Sequence, residues 1–113
     1  MNKAAHKHLE ALCDLATEAH TRFQQEVQHI DPIVGVNQGM RASGFPADVM
    51  TIDCIKNGKR IILILHDDKP EVISYQFAWR DKDPEGEFTD IPFSEVTKES
   101  LLGWMKSYLV EVA

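Results

Sequence analysis

The feature that most constrains the fold is the pair of segments VMTIDCIK (49–56) and RIILILH (60–66), where a residue period of two begins. Side chains of a β-strand point to opposite faces in turn, so this period predicts two strands. Asn57-Gly58 lies between the segments and is typical of a type I′ turn, because both central positions of that turn need a positive φ. The sequence therefore predicts an antiparallel hairpin closed by a two-residue turn.

That turn sets the register and hence the composition of each face of the hairpin. One face is predicted to be apolar, with the pairs Cys54–Ile61, Ile52–Leu63 and Met50–Leu65. The opposite face mixes apolar and polar residues, with the pairs Ile55–Arg60, Asp53–Ile62, Thr51–Ile64 and Val49–His66.

A third strand is predicted at VISYQFAW (72–79), which has large apolar residues at every second position. For these residues to join the apolar face, the third strand must pair with the second in the register Leu65–Ile73, Leu63–Tyr75 and Ile61–Phe77.

The intervening HDDKPE (66–71) is then predicted to be a hairpin turn, since Asp, Lys and Pro are turn residues. Adjacent strand residues point to opposite faces, so Asp67 is poorly placed to orient His66 as a general base. A catalytic role for His66 with Asp67 or Asp68 stays open as the weakest alternative.

Helices are predicted before and after the sheet. In residues 1–30, apolar residues recur at spacings of three and four, and Asp31-Pro32 ends the pattern. This stripe comprises Leu9, Leu12, Ala16, Ala19, Phe23, Val27 and Ile30. A second helix is predicted at 95–112, capped by Ser94 or Thr97. Its apolar face comprises Leu101, Leu102, Met105, Leu109 and Val112.

Two connecting regions complete the predicted domain, 1–113. The Gly- and Pro-containing segment 31–48 is predicted to be a loop, with or without a short strand at 33–36, and to offer adaptable contacts to a partner. FTDIPF (88–93) predicts a fourth strand at the sheet edge, because Pro92 lacks an amide donor. The predicted class is α+β: a four-stranded antiparallel meander sheet (49–93) flanked by a long N-terminal helix and a C-terminal helix.

Composition excludes several function classes. The net charge of −6 disfavours phosphate backbones and anionic lipid, so we predict neither nucleic-acid nor membrane binding. No apolar run approaches the roughly 20 residues of a membrane helix. Cys13 and Cys54 form no CxxC motif, and the first residues show no signal-type apolar run, which predicts a cytoplasmic protein with two free thiols.

Two groups of residues resemble metal sites only in part, and we predict no metal or other cofactor. The acidic stretch 81–92 has oxygen-bearing side chains at alternate positions, as a calcium-binding loop does, but it ends in Pro92 instead of a bidentate Glu. Its candidate ligands are Asp81, Asp83, Glu85, Glu87 and Thr89. One flank of the first helix carries His6, Glu10, Cys13, Thr17 and His20. A single helix rarely completes a tetrahedral zinc site.

The predicted function is therefore protein–protein contact without catalysis, since no catalytic motif is present. The face that mixes apolar and polar residues is the predicted partner-binding surface, for a second copy in a homodimer or for a heterologous, possibly basic, protein. The alternative is that one helix packs on each face of the sheet, which would leave no such surface uncovered. Its residues are Val49, Thr51, Ile62, Ile64, His66 and Val72. The layout and the acidic surface resemble those of small secretion chaperones and toxin-immunity proteins, a likeness that carries over no residue.

The alternative prediction is a module that binds a small molecule or a divalent metal ion. A small-molecule pocket would lie between helix and sheet, lined by Tyr75, Trp79 and Trp104.

Overall fold

The computed structural model describes residues 3–82 and 87–110. The helices are α1 (Lys3–Glu26), α2 (Gly39–Ala42) and α3 (Lys98–Trp104); the strands are β1 (Ile33–Asn37), β2 (Ala47–Asp53), β3 (Lys59–His66), β4 (Val72–Trp79) and β5 (Thr89–Pro92). A 3-10 turn (Phe93–Glu95) precedes α3, and a π-helical turn (Met105–Leu109) follows it.

The strands form one antiparallel sheet in the order β1-β2-β3-β4-β5, so each strand pairs with its neighbours in sequence. The predicted α+β class and meander are confirmed, but the predicted number of four strands is wrong. The additional strand is β1, within the segment 31–48. It corresponds to the short strand left open at 33–36, and its pairing with β2 along its whole length stabilises it.

The β2–β3 hairpin differs from its predicted register by two residues. Ile52 lies opposite Ile61, and Met50 lies opposite Leu63. Because the shift is an even number of residues, each paired side chain keeps its predicted face.

The cause of the shift is the connection between β2 and β3, which spans residues 54–58 instead of the predicted type I′ turn. Gly58 has a φ of +76°, but no residue other than glycine has a positive φ in the part of the chain that the structure describes. The Asn57 side chain accepts a hydrogen bond from the Lys59 amide (3.0 Å) and donates one to the Leu109 carbonyl (2.7 Å). The first bond stabilises this wider turn locally, and the second holds it against the C-terminal helical segment.

The predicted β3–β4 register is confirmed at all three of its pairs: Leu65–Ile73, Leu63–Tyr75 and Ile61–Phe77. The HDDKPE segment forms the predicted turn. In it, the Lys69 amide donates to the His66 carbonyl (3.2 Å), and the Val72 amide donates to the Lys69 carbonyl (3.1 Å).

One hydrophobic core lies between the sheet and both long helical segments. Side chains of α1 and of the α3 region enter the same cluster as one face of β2, β3 and β4, and α1 contacts α3 directly. The fully buried members include Leu12, Phe23, Ile52, Ile61, Leu63, Ile73, Leu101, Met105 and Leu109. Burial of this apolar area is the main driving force for the fold.

The helix ends differ from their predicted positions for local reasons. α1 ends at Glu26, and the chain turns back so that the Pro32 carbonyl lies 2.8 Å from Nε2 of His20. Of the two predicted caps for α3, Thr97 is used: its hydroxyl accepts from the Ser100 amide (3.1 Å), and the Ser100 hydroxyl accepts from the Thr97 amide (2.7 Å). Among the described residues, no helix is long and apolar enough to cross a membrane.

Candidate functional site

The face of the sheet that points away from the core is called the open face here. Strand alternation and the observed registers assign to it Ile33, Gly35, Asn37, Ala47, Val49, Thr51, Asp53, Arg60, Ile62, Ile64, His66, Val72, Ser74, Gln76, Ala78, Asp90 and Pro92. Since α1 and α3 both pack on the other face, neither helix covers the open face.

The six residues predicted to bind a partner lie together on the open face. Val49 is directly opposite Ile64, and Thr51 is opposite Ile62. His66 and Val72 line one shallow hollow of about 130 Å³ at the end of this group.

The middle of the open face is apolar. Ile62 is only 7% exposed, and Val49, Ile64 and Val72 are half-buried. Ile33 on the neighbouring strand is 53% exposed. Antiparallel sheets that face water usually carry polar residues on that side, so an aliphatic band here is unusual.

A cluster of charges bounds the apolar band at the end formed by Asp53. Arg60 forms two hydrogen bonds with the Asp53 carboxylate, from Nε (2.7 Å) and from one terminal nitrogen (2.9 Å), and Arg80 adds a third from its Nε (3.3 Å). The hydrogen bonds that Arg60 donates to Asp53 raise the pKa of Arg60. Two guanidinium groups on one carboxylate give this end a net positive charge.

A second polar cluster bounds the band at the opposite end. The Ser74 hydroxyl donates to Asp90 (2.5 Å), and Nε2 of His66 lies 3.5 Å from the same Ser74 oxygen. Asp68 and Lys69 complete the hollow there. The Ser74 hydroxyl donates its proton to Asp90 and not to His66. Ser74 and His66 therefore do not form a nucleophile–histidine pair.

A third polar cluster lies beside the core and was not foreseen from the sequence. Asp48 is 3% exposed, and the Arg41 side chain bonds to it through Nε and a terminal nitrogen, at 3.0 Å each. Arg41 also forms two bonds with Asp67. These bonds raise the pKa of Arg41 and lower that of Asp67. Asp67 therefore pairs with Arg41, on the side of the sheet away from His66.

The structure brings together two of the three residues proposed to line an aromatic pocket. Tyr75 and Trp104 stack with ring centroids 4.5 Å apart, so their rings fill the space between β4 and α3. Phe77 and Tyr108 stack beside them at 4.8 Å. Trp79 lies at the end of β4 and is 44% exposed.

A groove of about 530 Å³ lies near the start of α1, against β5 and the β3–β4 turn. Its lining includes His8, Pro70, Val72, Ile91, Pro92 and Phe93. The rings of His8 and Phe93 stack at 4.5 Å. Within the described ranges, Nδ1 of His8 is buried without a hydrogen-bond partner. No sequence signal predicts this groove, because its residues come from segments far apart in the chain.

Among the described residues, no three His, Cys, Asp or Glu side chains could hold a metal ion. Two candidate ligands of the acidic stretch 81–92, Asp83 and Glu85, lie outside the described residues, and so does the side chain of His6 on the flank of α1. On the α1 flank, His20 is directed at the Pro32 carbonyl, and burial raises the pKa of the Cys13 thiol, as do Asp14 and Glu10 to a lesser extent.

Comparison of this chain with protein-family models, with curated proteins and with solved structures finds no match.

Proposed function

We propose that this protein binds another protein through the open face. The observation that carries the proposal is the placement of both long helical segments on one side of the sheet, which leaves an apolar band uncovered by them on the other. An uncovered apolar band between polar clusters has the anatomy of a protein interface, with an apolar centre and a polar rim.

The charges around the band indicate which partner it suits. At one end, Arg60 and Arg80 are paired with Asp53, and at the other Asp68 and Asp90 are exposed beside His66. A partner with an apolar ridge and a basic group at the second end would match both features. The net charge of −6 would also attract a basic protein over a longer range.

The test compares proteins captured from the native cell lysate by three tagged chains: wild type, Ile64→Asp and Ile55→Asp. Ile64 is in the middle of the open face, whereas Ile55 is an exposed isoleucine in the 54–58 connection. The proposal expects a partner that wild type and Ile55→Asp retain and Ile64→Asp loses. Thr51→Asp provides a second variant on the same face should Ile64→Asp fold poorly by circular dichroism.

Hydrogen exchange on the purified complex then locates the contact. Slower exchange of the backbone amides in β2 and β3 is the expected result. A captured set that is identical for all folded variants would mean that the open face is not the binding surface.

A second candidate function, small-molecule binding, is favoured by the groove beside His8. Its volume falls in the usual range for ligand sites, and its lining is largely apolar, with one imidazole nitrogen that lacks a partner among the described residues. The test is a fragment screen by NMR with His8→Phe as the comparison. Fragments that perturb Phe93 in wild type but not in His8→Phe would support the site, and a screen without any such fragment would remove it.

A further inference from the structure

The two edges of the sheet are built differently. β5 has only four residues, among them Asp90 and Pro92, and a charge or a proline on an edge strand prevents another strand from pairing with it. β1 forms the other edge, and in the part of the chain that the structure describes no strand pairs with its outer side.

β1 lacks the features that protect β5. No charged residue occurs between Asp31 and Arg41, and no proline follows Pro32 before the strand ends. Exposed apolar side chains flank the strand on both sides of the sheet: Ile33 on the open face (53%) and Val36 on the helical side (44%). An unprotected apolar edge is suited to pairing with another strand.

We infer that β1 pairs with β1 of a second copy of this chain, antiparallel and centred on Gly35, to form one continuous ten-stranded sheet. The sequence of β1 suits self-pairing because this register places Val34 opposite Val36 of the second copy, and β-branched pairs across strands are stabilising. A twofold axis through the Gly35 pair generates both halves of the contact.

No charged side chain lies within this contact, so the net charge of −6 on each copy opposes the pairing only at long range. With the pairing centred on Gly35, the two Asp31 carboxylates lie eight positions apart along the ladder, or about 27 Å at about 3.4 Å per residue. That separation exceeds the screening length of about 8 Å at physiological ionic strength. The seam itself is uncharged.

This inference does not depend on the proposed function. A twofold axis perpendicular to the sheet leaves both open faces on the same side of the ten-stranded sheet. The contact through β1 therefore leaves the apolar band of each copy available.

The register is tested by cysteine cross-linking in a chain that carries Cys13→Ser. Directly paired residues of antiparallel strands have Cα atoms about 4.5–5.5 Å apart, which a disulfide can span. Gly35 does not have a positive φ, and a Cβ there meets its nearest atom at 3.7 Å, so Gly35→Cys is tolerated. Mild oxidation should convert Gly35→Cys to a disulfide-linked dimer. Ile33→Cys should stay unlinked, because residue 33 faces residue 37 of the second copy.

The solution mass provides the second measurement. Sedimentation velocity over a concentration series should give twice the 12.8 kDa of one chain for wild type and for Trp79→Lys, and one chain mass for Val36→Lys. Val36 and Trp79 are equally exposed (44%), and Trp79 lies on β4, three strands from β1. Three results would overturn the inference. Two are masses: a monomeric wild type, or a dimer that persists in Val36→Lys. The third is a disulfide-linked dimer of Ile33→Cys but not of Gly35→Cys. A dimer lost only with Ile64→Asp would place the contact on the open face.

Discussion

Arg41 and Asp67 are joined by two hydrogen bonds, of 2.7 and 2.9 Å, although 26 residues separate them in the sequence. Arg41 belongs to α2, and Asp67 follows the last residue of β3, so the pair ties the segment after β1 to the β3–β4 turn. The backbone repeats the connection, since the Asp67 amide donates to the Pro46 carbonyl (2.9 Å).

Replacing Arg41 should destabilise the fold more than replacing another arginine that is also ion-paired. Arg41→Met leaves the carboxylate of Asp48 buried without its cation, and we expect a loss of about 3 kcal/mol in the free energy of unfolding. Arg80→Met is the control, because Arg80 is 40% exposed and Asp53 keeps Arg60; its cost should stay below about 1 kcal/mol. Urea denaturation measures both, and equal losses would contradict the role assigned to Arg41.

The contribution of the Arg41–Asp67 pair to the stability of the fold should decrease as the pH falls. The hydrogen bond from Arg41 lowers the folded-state pKa of Asp67 below its ordinary value of 3.8. The resulting stabilisation of the folded state is fully present above pH 3.8, and it is lost as the pH falls through the lower pKa of Asp67 in the folded state. Asp67→Asn should therefore lose less stability than wild type on acidification, when thermal unfolding is followed over the acid range.

The neighbouring carboxylate gives the control for that experiment. Asp68 is exposed in the same turn, so Asp68→Asn removes a carboxylate while leaving the Arg41–Asp67 pair in place and serves as the matched variant. Curves for Asp67→Asn and wild type that run parallel below pH 4 would show that Asp67 does not contribute to acid unfolding.

Tyr108 should ionise at a higher pH than an ordinary tyrosine. Burial raises its pKa above 10.0, and its hydroxyl donates to the Ala78 carbonyl at 2.6 Å. Folding therefore favours the neutral phenol, and this contribution is present below pH 10 and lost as the pH rises through the raised pKa. Ultraviolet titration of the folded protein should show a late step that is missing in Tyr108→Phe. The same variant should cost about 1 kcal/mol at neutral pH, from the lost hydrogen bond.

The two cysteines should differ in reactivity towards iodoacetamide. Cys54 is 1% exposed, so it should remain unmodified until the protein unfolds. Cys13 is half-buried with a raised pKa, mainly because of burial, and should react slowly at pH 7 and faster as the pH rises. Mass spectrometry of tryptic peptides reads both sites. Rapid labelling of Cys54 in the native protein would contradict its place in the core.

The sequence predicts most of the sheet because strand alternation is a local signal. Ile73, Tyr75 and Phe77 are large and alternate with smaller or polar residues, so the pattern places them on the helical side of the sheet, where they are observed. The predicted β2–β3 register was wrong because the Asn57 side chain donates a hydrogen bond to the carbonyl of Leu109, a residue that is distant in sequence. Its role in that turn therefore depends on tertiary structure.

The candidate site likewise combines features that follow from local strand alternation with features that depend on tertiary structure. The six residues of the predicted surface share a face because an even shift in register preserves faces. Which face remains open depends on where the helices pack, and the sequence leaves that undecided. The Arg41 cluster and the groove beside His8 join residues from separate segments, for which a single sequence offers no pattern.

The meander order has a consequence for how the chain folds. Every strand pairs with a strand that is its neighbour in sequence, so strand pairing requires only short loops to close. Low sequence separation between contacting residues favours rapid folding. During synthesis, the β2–β3–β4 pairing can form before α3 emerges. The core closes only when Leu101, Met105 and Leu109 of the α3 region are available to cover the same face of the sheet. A chain that stops before α3 should therefore pair its strands but leave its core exposed.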